Sequence, residues 1–149
     1  MEIKIIEVNK RDYLDLLLLA DEQEDMIDKY LDRGSLFTLY ENNELKSCCV
    51  VTDEGDDVFE VQNLATYEQH QQKGYGSYLL NYVCRYYQKM GRVMYVGTGN
   101  SQCILSFYER NGFIFSHNIE NYFLKHYNNP MFVNGIQLKD KIYLKRNLQ

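Results

Sequence analysis

The sequence lacks several features that define whole classes of protein. It has no tryptophan, one proline (Pro130) and four cysteines, none of them spaced as Cys-x-x-Cys. A structural zinc site usually needs such paired ligands, and the three histidines, His70, His117 and His126, are scattered without metal-ligand spacing. We therefore expect reduced thiols in the core and no bound metal.

Clustered positive charge is also missing. The chain carries 16 Lys and Arg against 21 Asp and Glu, which gives a formal net charge of -5. Nucleic acid and anionic membrane surfaces need a basic patch, so both are disfavoured as partners, and a cationic partner is favoured. The run Leu16–Leu19 is too short to span a bilayer, and no basic segment followed by a long apolar run begins the sequence. These features predict a cytoplasmic protein.

The composition that remains is ordinary for one folded domain. The 149 residues are 45% hydrophobic and 25% charged, enough to bury a core without cross-links. Tyrosine is frequent, with 14 copies, which we interpret as side chains at the edge of the core with the hydroxyl towards water. The composition predicts a single domain over residues 1–149.

Runs rich in β-branched and aromatic residues predict strands along the whole chain. Glu41-Asn42-Asn43-Glu44 joins two of these runs and predicts a hairpin. The segment 119–135 is aromatic and contains the proline, so we expect a short helical or irregular excursion there. The predicted strands are Ile3–Val8, Leu36–Tyr40, Leu45–Thr52, Val58–Thr66, Val93–Val96, Phe113–His117 and Ile136–Leu144.

Apolar residues at helical spacing alternate with these strands. Asp12 is the expected cap of the first helix, and Gly34 is expected to stop the second. The predicted helices cover residues 12–20, 26–31, 76–90 and 102–110. Strands interleaved with helices predict an α/β fold, with a mixed central sheet of about six to seven strands flanked by helices.

One predicted strand passes through a glycine-bearing turn directly into the longest amphipathic helix. The turn holds Gly74 and Gly76, and apolar residues then recur at helical spacing from Leu79 to Met90. Glycines leave the backbone without Cβ atoms, so a bulky anion can approach the N–H groups that a helix start leaves unpaired. The stretch is therefore either a phosphate seat or a plain strand-to-helix turn.

Two motifs decide between these interpretations. Gln71, Gly74 and Gly76 fit the pattern Gln/Arg-x-x-Gly-x-Gly/Ala, and the run FYERNGF from Phe107 to Phe113 fits Leu/Phe-Tyr-x-x-x-Gly-Phe. Together and in this order, they resemble the pyrophosphate turn and the later tyrosine motif of the GNAT superfamily of acyl-CoA-dependent N-acyltransferases. A P-loop or a dinucleotide fingerprint does not fit, because the required lysine or third glycine is missing.

The resemblance implies acetyl-CoA or coenzyme A as the acyl donor, with no metal. In the family, the strand before the turn splays from its neighbour, and backbone groups of Leu64, Ala65 and Thr66 would hold the pantetheine arm here. The Leu64 N–H is the candidate for polarising the acetyl carbonyl. The backbone N–H groups that would bind the pyrophosphate belong to Gln72, Lys73, Gly74, Tyr75, Gly76 and Ser77.

The implied chemistry is direct transfer of the acetyl group from the thioester to an amine. The amine must lose a proton, and the departing thiolate must gain one. Tyr108 matches the family's general acid. Glu60 stands four residues before Leu64, at a register where some members carry a glutamate base; a carboxylate that binds substrate is the other interpretation.

Further positions leave alternatives open. Family members often have Asn seven residues before the tyrosine, where this chain has Ser101 preceded by Asn100. Either Asn100 or Ser101 is the expected cap of the following helix, and Asn100 either caps it and reaches the donor, or only caps it. Lys73 either adds charge beside the pyrophosphate or is a solvated lysine. The runs Gly97–Ser101 and Asn134–Gln137 resemble a branch of small bacterial members that has no assigned acceptor.

The resemblance favours an N-acetyltransferase acting on a small-molecule or peptide amine, as a monomer or homodimer. A non-catalytic acyl-CoA sensor or interaction protein of the same fold is the alternative, and retention of Tyr108 favours the enzyme. The acidic run Asp21-Glu22-Gln23-Glu24-Asp25 connects the first two predicted helices, and in the family this connection borders the acceptor cleft. It predicts a preference for cationic amines if it faces the cleft, and is otherwise a solvated loop.

Overall fold

A mixed sheet of seven strands runs through the molecule, as the sequence predicts. The computed structural model describes residues 1–149. The strands are β1 (Glu2–Ile6), β2 (Ser35–Glu41), β3 (Glu44–Gly55), β4 (Val58–Thr66), β5 (Val93–Gly99), β6 (Ile114–Ile119), β7 (Phe132–Val133), β8 (Ile136–Gln137) and β9 (Lys141–Asn147). The main sheet has the order β1-β2-β3-β4-β5-β9-β6, while β7 and β8 pair only with each other. Within the main sheet, β4 and β5 are the only parallel neighbours.

Two tight turns set the register of the β2–β3–β4 meander. Asn42 and Asn43 connect β2 to β3 with positive φ angles of 55° and 63°, and Asp56 and Asp57 connect β3 to β4 with angles of 54° and 64°. A two-residue turn with both φ angles positive matches the twist of the strands it joins. Asparagine and aspartate tolerate this conformation better than most residues, so the local sequence favours both hairpins.

Five α-helices connect these strands. They are α1 (Leu14–Ala20), α2 (Glu24–Ile27), α3 (Tyr75–Tyr87), α4 (Gln102–Arg110) and α5 (Tyr122–His126). Two 3-10 turns, Lys10–Tyr13 and Glu68–His70, precede α1 and follow β4. None of the helices has the length and apolar character needed to cross a membrane.

Both faces of the sheet are buried at its centre. Side chains of α3 and α4 pack with one face in a cluster of 17 buried residues that includes Phe37, Leu80 and Met94. Side chains of α1 and α2 pack with the other face in a cluster of 9 that includes Leu17 and Leu36. β3 contributes to both clusters, which explains why its residues 46–52 are buried without a break.

The cysteines are core residues with one exception. Cys48, Cys49 and Cys84 are buried free thiols, and burial raises the pKa of Cys84 to about 11. Cys103 is exposed on α4, so the prediction of a core thiol is wrong for it. Its position early in a helix that packs through the opposite side explains the difference.

The first two helices differ from their predicted bounds. Asp12 is not a cap, because it lies inside the 3-10 turn Lys10–Tyr13 and its N–H donates to the Asn9 carbonyl at 3.0 Å. α1 begins at Leu14 without a side-chain cap. α2 is a single turn, and residues 28–34 continue as separate turns where the sequence predicts helix over 26–31.

The predicted final strand Ile136–Leu144 is wrong. Asn134 and Gly135 have positive φ angles of 51° and 78°, so the chain turns back there, and β7 and β8 form a small hairpin. The final strand, β9, begins only at Lys141 and pairs with both β5 and β6. The short helical or irregular excursion predicted for residues 119–135 is confirmed. It consists of α5 and this hairpin, and it continues beyond the predicted end at residue 135.

Candidate active site

The central strands β4 and β5 separate halfway along their length. Their parallel pairing ends at Val61 and Val96, although β4 continues to Thr66 and β5 to Gly99. A register shift between β3 and β4 leaves Gln62 without a partner, as in a β-bulge. A bulge bends its strand and increases its twist. The splay that the family resemblance implies is therefore present, and it opens the sheet between β4 and β5.

A cleft of about 1050 Å³ occupies this opening and extends on both sides of it. Lys73, Glu60, Asn100 and Ser101 do not line the cleft. Ten of the residues singled out from the sequence do, so one cavity brings the glycine turn together with the end of β4 and with α4. These ten are Leu64, Ala65, Thr66, Gln71, Gln72, Gly74, Tyr75, Gly76, Ser77 and Tyr108.

The glycine turn presents unpaired backbone N–H groups at the start of α3. Gly74 is the N-cap residue, with a φ of 89°, and the first helical hydrogen bond runs from the Tyr78 N–H to the Gly74 carbonyl at 3.0 Å. Residues 75–77 therefore have no helical acceptor for their N–H groups. The Gln71 amide donates to the Thr66 carbonyl at 3.1 Å and ties the turn to the end of β4.

Glycine stands at the two positions of the turn for different reasons. Gly74 needs a left-handed conformation that side chains rarely adopt, and a Cβ there would meet nothing within 4 Å. A Cβ at Gly76 would lie 3.5 Å from the Phe107 ring, an ordinary contact, so packing inside the chain does not require glycine there. An open surface beside free N–H groups fits the approach of a pyrophosphate. Lys73 is exposed beside the turn.

Tyr108 enters the cleft from α4, opposite the end of β4. It is 7% exposed, and its ring packs edge-to-face against Phe107 and Phe113 at centroid distances of 5.1 and 5.6 Å. Burial raises the pKa of the phenol. The hydroxyl therefore carries its proton at neutral pH, which is the state that a general acid requires.

Glu60 lies on β4 just beyond the cleft lining. The Tyr143 hydroxyl donates to its Oε2 at 3.3 Å across the sheet. Burial raises the pKa of Glu60, while the Lys141 ammonium nearby lowers it. A carboxyl with a raised pKa is a better proton acceptor at neutral pH than an exposed one. Because Glu60 does not line the cleft, its position does not favour direct contact with a bound acceptor.

Of the two residues predicted to cap α4, Asn100 does not and Ser101 holds the N-cap position. The N-cap residue is Ser101, which is buried and forms no side-chain cap hydrogen bond. The Asn100 Oδ1 instead accepts the backbone N–H of Lys139 at 3.1 Å and holds the connection between β8 and β9. This connection packs over the end of β5, where a Cβ at Gly99 would collide with the Leu138 side chain.

The far end of the cleft contains a hydrogen-bonded group that the sequence did not indicate. Asp21, at the end of α1, accepts the Tyr30 hydroxyl at 3.0 Å and the Tyr127 hydroxyl at 2.8 Å. The Asn63 amide, next to Leu64 on β4, donates to the Tyr30 oxygen at 3.1 Å. Asp21 and Tyr127 are 106 residues apart, so no local pattern could have revealed their contact.

The acidic connection faces the cleft only in part. Asp21 and Glu22 line it, whereas Glu24 forms an ion pair with Arg11 at 3.4 Å. Gln23 binds the excursion, because its Oε1 accepts the N–H of residue 128 at 2.8 Å. The connection coils into α2, which turns successive side chains in different directions. Asp21 and Gln23 thus attach the connection to other elements, and Glu22 is its one carboxylate that lines the cleft without a partner.

Comparison with known proteins agrees with this geometry. Residues 32–115 match the model of the acetyltransferase (GNAT) domain. The chain is 35% identical to an uncharacterised N-acetyltransferase of Bacillus subtilis, YvbK, over 99% of this chain and 97% of the relative.

Two solved structures are similar over nearly their whole length. A GNAT family acetyltransferase from Elizabethkingia anophelis with acetyl-CoA bound has a TM-score of 0.93 and 32% identity, over 98% of this chain and 97% of that one. A Bacillus subtilis acetyltransferase in complex with CoA has a TM-score of 0.92 and 34% identity, over 99% of both chains. The split sheet, the glycine turn and these similarities agree, and the chain belongs to the GNAT superfamily of N-acetyltransferases.

Proposed function

We propose that this protein moves the acetyl group of acetyl-CoA to a primary amine of a small molecule or peptide, by direct attack of the amine on the thioester. One observation carries the proposal: Leu64 and Tyr108 line the same cleft where β4 and β5 separate. The relatives with acetyl-CoA or CoA bound support this choice of donor.

The donor would lie along the split with its pyrophosphate at the start of α3. The free N–H groups of residues 75–77 and the positive end of the helix would stabilise the phosphate charge. The Leu64 N–H is the group proposed to polarise the acetyl carbonyl, and Tyr108 would protonate the departing thiolate. In this arrangement the Leu64 N–H and the Tyr108 hydroxyl would stabilise the charge of the transition state more than that of the bound substrate.

Glu60 is the proposed base, acting through water. It does not line the cleft, and the Tyr143 hydroxyl already donates to one of its oxygens. A carboxylate one water away from the amine can still accept the proton that the attack releases. Its raised pKa, caused by burial, places the change from acid to base closer to neutral pH.

Replacing Glu60 tests this role through the pH profile. The wild-type rate should rise with pH through the raised pKa of Glu60, because only the carboxylate accepts a proton. Glu60→Gln should lower kcat by about 100-fold, the rate contribution typical of a general base. It should also remove the rise of kcat with pH on the acidic side of the profile, the acidic limb. The measurement is kcat against pH with acetyl-CoA saturating.

The matched control is Glu54→Gln, which removes an exposed carboxylate on β3 that pairs with Arg33. It should keep the acidic limb, moved to slightly lower pH, because the charge of Glu54 helps to raise the pKa of Glu60. If Glu60→Gln instead raises the KM for the amine and keeps the wild-type pH profile, Glu60 binds the substrate and is not the base.

A panel of amines with acetyl-CoA tests the proposed function itself. Release of free thiol, followed together with the mass of the acetylated amine, should show turnover with at least one amine. A melting temperature that rises with CoA while every amine stays unmodified would show a protein that binds the donor without transfer. That result would contradict the proposal and favour a sensor.

A further inference from the structure

The acceptor end of the cleft contains a cation without a carboxylate partner. Lys141, the first residue of β9, is half-buried and lines the cleft. No carboxylate oxygen lies within 4.0 Å of its Nζ. Its Nζ lies 4.5 Å from the ring centroid of Tyr122 and 4.9 Å from that of Tyr143. Two aromatic faces therefore hold the ammonium in place.

The glycine-rich end of β5 makes room for this side chain. A Cβ at Gly97 would collide with the Lys141 Cε and would lie 2.9 Å from the Tyr143 ring. Tyr143 is fixed on its other side by His117, whose ring stacks on it at 4.7 Å. Residues of β5, β6 and β9 together therefore set the position of the ammonium. Gly97 is needed because a side chain there would collide with Lys141.

The nearby carboxylates are engaged elsewhere. Both oxygens of Asp21 accept tyrosine hydroxyls, and one oxygen of Glu60 accepts the Tyr143 hydroxyl. Burial lowers the pKa of Lys141, while Glu60 and Asp21 raise it and so help to keep the charge. A partly buried cation without an ion pair gains from an anionic ligand that replaces the lost hydration.

Apolar and aromatic side chains form one wall of the cleft beside the ammonium. They come mainly from the excursion between β6 and β9, which the Asp21–Tyr127 hydrogen bond attaches to the end of α1. An acceptor against this wall would contact hydrocarbon and aromatic surface next to the Lys141 ammonium, whereas Lys29 and Arg110, the other cleft cations without an ion pair, are exposed. The wall residues of the excursion are Tyr122, Phe123, Tyr127, Met131, Phe132 and Val133.

We propose that Lys141 binds a carboxylate of the acceptor, so that the substrate is an apolar molecule carrying both a primary amine and a carboxylate. The inference rests on the proposed function, since it assigns the amine to the thioester and the carboxylate to Lys141. It differs from the preference for cationic amines that the acidic connection suggested: Asp21 is occupied and Glu24 pairs with Arg11, which leaves Glu22 as the one carboxylate of the connection that lines the cleft without a partner.

The test compares aromatic amino-carboxylates with their carboxamides, for example 4-(aminomethyl)benzoate with 4-(aminomethyl)benzamide and phenylalanine with phenylalaninamide. In the wild type, at least one carboxylate should exceed its amide in kcat/KM by about 10-fold to 100-fold, the range of a hydrogen bond to a charged group. Lys141→Met keeps the length of the side chain. Because the Lys141 ammonium also lowers the pKa of Glu60, both proteins are compared at a pH above the range in which Glu60 titrates, and there the variant should reduce that ratio to about one, through loss on the carboxylate alone.

Two control variants accompany this comparison. Lys145→Met removes a lysine of the same strand that does not line the cleft, and it should keep the wild-type ratio. Lys141→Arg keeps the charge and should retain part of the preference. The KM for acetyl-CoA should be the same in all variants, which separates acceptor binding from donor binding.

Three results would overturn the inference. They are a wild type that uses carboxylates and amides equally, a Lys141→Met variant that loses both to the same extent, and a Lys141→Met variant whose KM for acetyl-CoA rises. The first needs no variant and stands even if Lys141→Met does not fold.

A binding measurement separates this inference from the proposed function. In the presence of CoA, 3-phenylpropionate should raise the melting temperature of the wild type and not that of Lys141→Met. If this shift is seen but no amine is ever acetylated, the proposed function fails and the carboxylate site stands. If neither protein shifts, Lys141 is not a carboxylate site.

Discussion

Tyr108→Phe is expected to lower kcat by about 100-fold while the affinity for CoA stays close to that of the wild type. The hydroxyl is the only group removed, and the scale is that of a missing general acid. The ring keeps its edge-to-face packing with Phe107 and Phe113, so the fold should survive. Thiol release at saturating acetyl-CoA and a CoA titration measure the two quantities separately.

Tyr87→Phe is the matched control for this variant. Tyr87 is buried in the same hydrophobic cluster as Tyr108 but does not line the cleft. Its loss of a hydroxyl should leave kcat unchanged. If Tyr108→Phe turns over as fast as the wild type at every pH, Tyr108 has a structural role and another group protonates the thiolate.

Gly76→Val is expected to weaken CoA binding by about 100-fold or more, with little change in the melting temperature of the free protein. The valine methyl groups would stand over the free N–H groups at the start of α3 and would keep a pyrophosphate out of hydrogen-bond distance, where charge-assisted bonds are each worth about 1.5–3 kcal/mol. A Cβ alone would lie no closer than 3.5 Å to the chain, so the fold has room for it.

Gly76→Ala separates steric exclusion from other effects. The family pattern permits Gly or Ala at this position, so the alanine variant should bind CoA nearly as well as the wild type. NAD and ATP, which lack the pantetheine arm, should raise the melting temperature much less than CoA does. Equal CoA affinity in Gly76→Val and wild type would remove the turn from the donor site.

The donor half of the site was predictable because its signals are local. Gly74 and Gly76 stand within one turn of the chain, and the tyrosine motif stands within one helix, so short spacing carries the information. The resemblance to GNAT proteins, the mixed sheet and the splayed strand β4 are confirmed by the comparisons and by the fold. The catalytic and binding roles of the individual residues stay predictions.

The acceptor half was not predictable in the same way. Lys141 reaches the cleft because β9 inserts between β5 and β6, and Tyr127 reaches Asp21 across 106 residues of sequence. The predicted strand Ile136–Leu144 hid the first of these facts, since it placed Lys141 in the interior of a strand and not at its start. Periodicity detects alternation, but it does not show that the chain turns at Asn134 and Gly135. The first two residues of the predicted run, Ile136 and Gln137, form β8 of the small hairpin instead.

The acidic connection illustrates a related limit. Four carboxylates within residues 21–25 suggested a charged surface, yet two of them have partners elsewhere in the fold. Arg11 pairs with Glu24, and two tyrosine hydroxyls bind Asp21. A count of carboxylates along the sequence overestimates the negative electrostatic potential in a cleft when the folded chain pairs some of them with cations or hydroxyl donors.

A structure of the complex with acetyl-CoA would test the account most directly. We predict the pyrophosphate on the N–H groups of residues 75–77, the pantetheine arm between β4 and β5, the acetyl carbonyl on the Leu64 N–H, and the sulfur within reach of the Tyr108 hydroxyl. A donor whose thioester lies away from both Leu64 and Tyr108, or whose pyrophosphate binds elsewhere than at the start of α3, would contradict it.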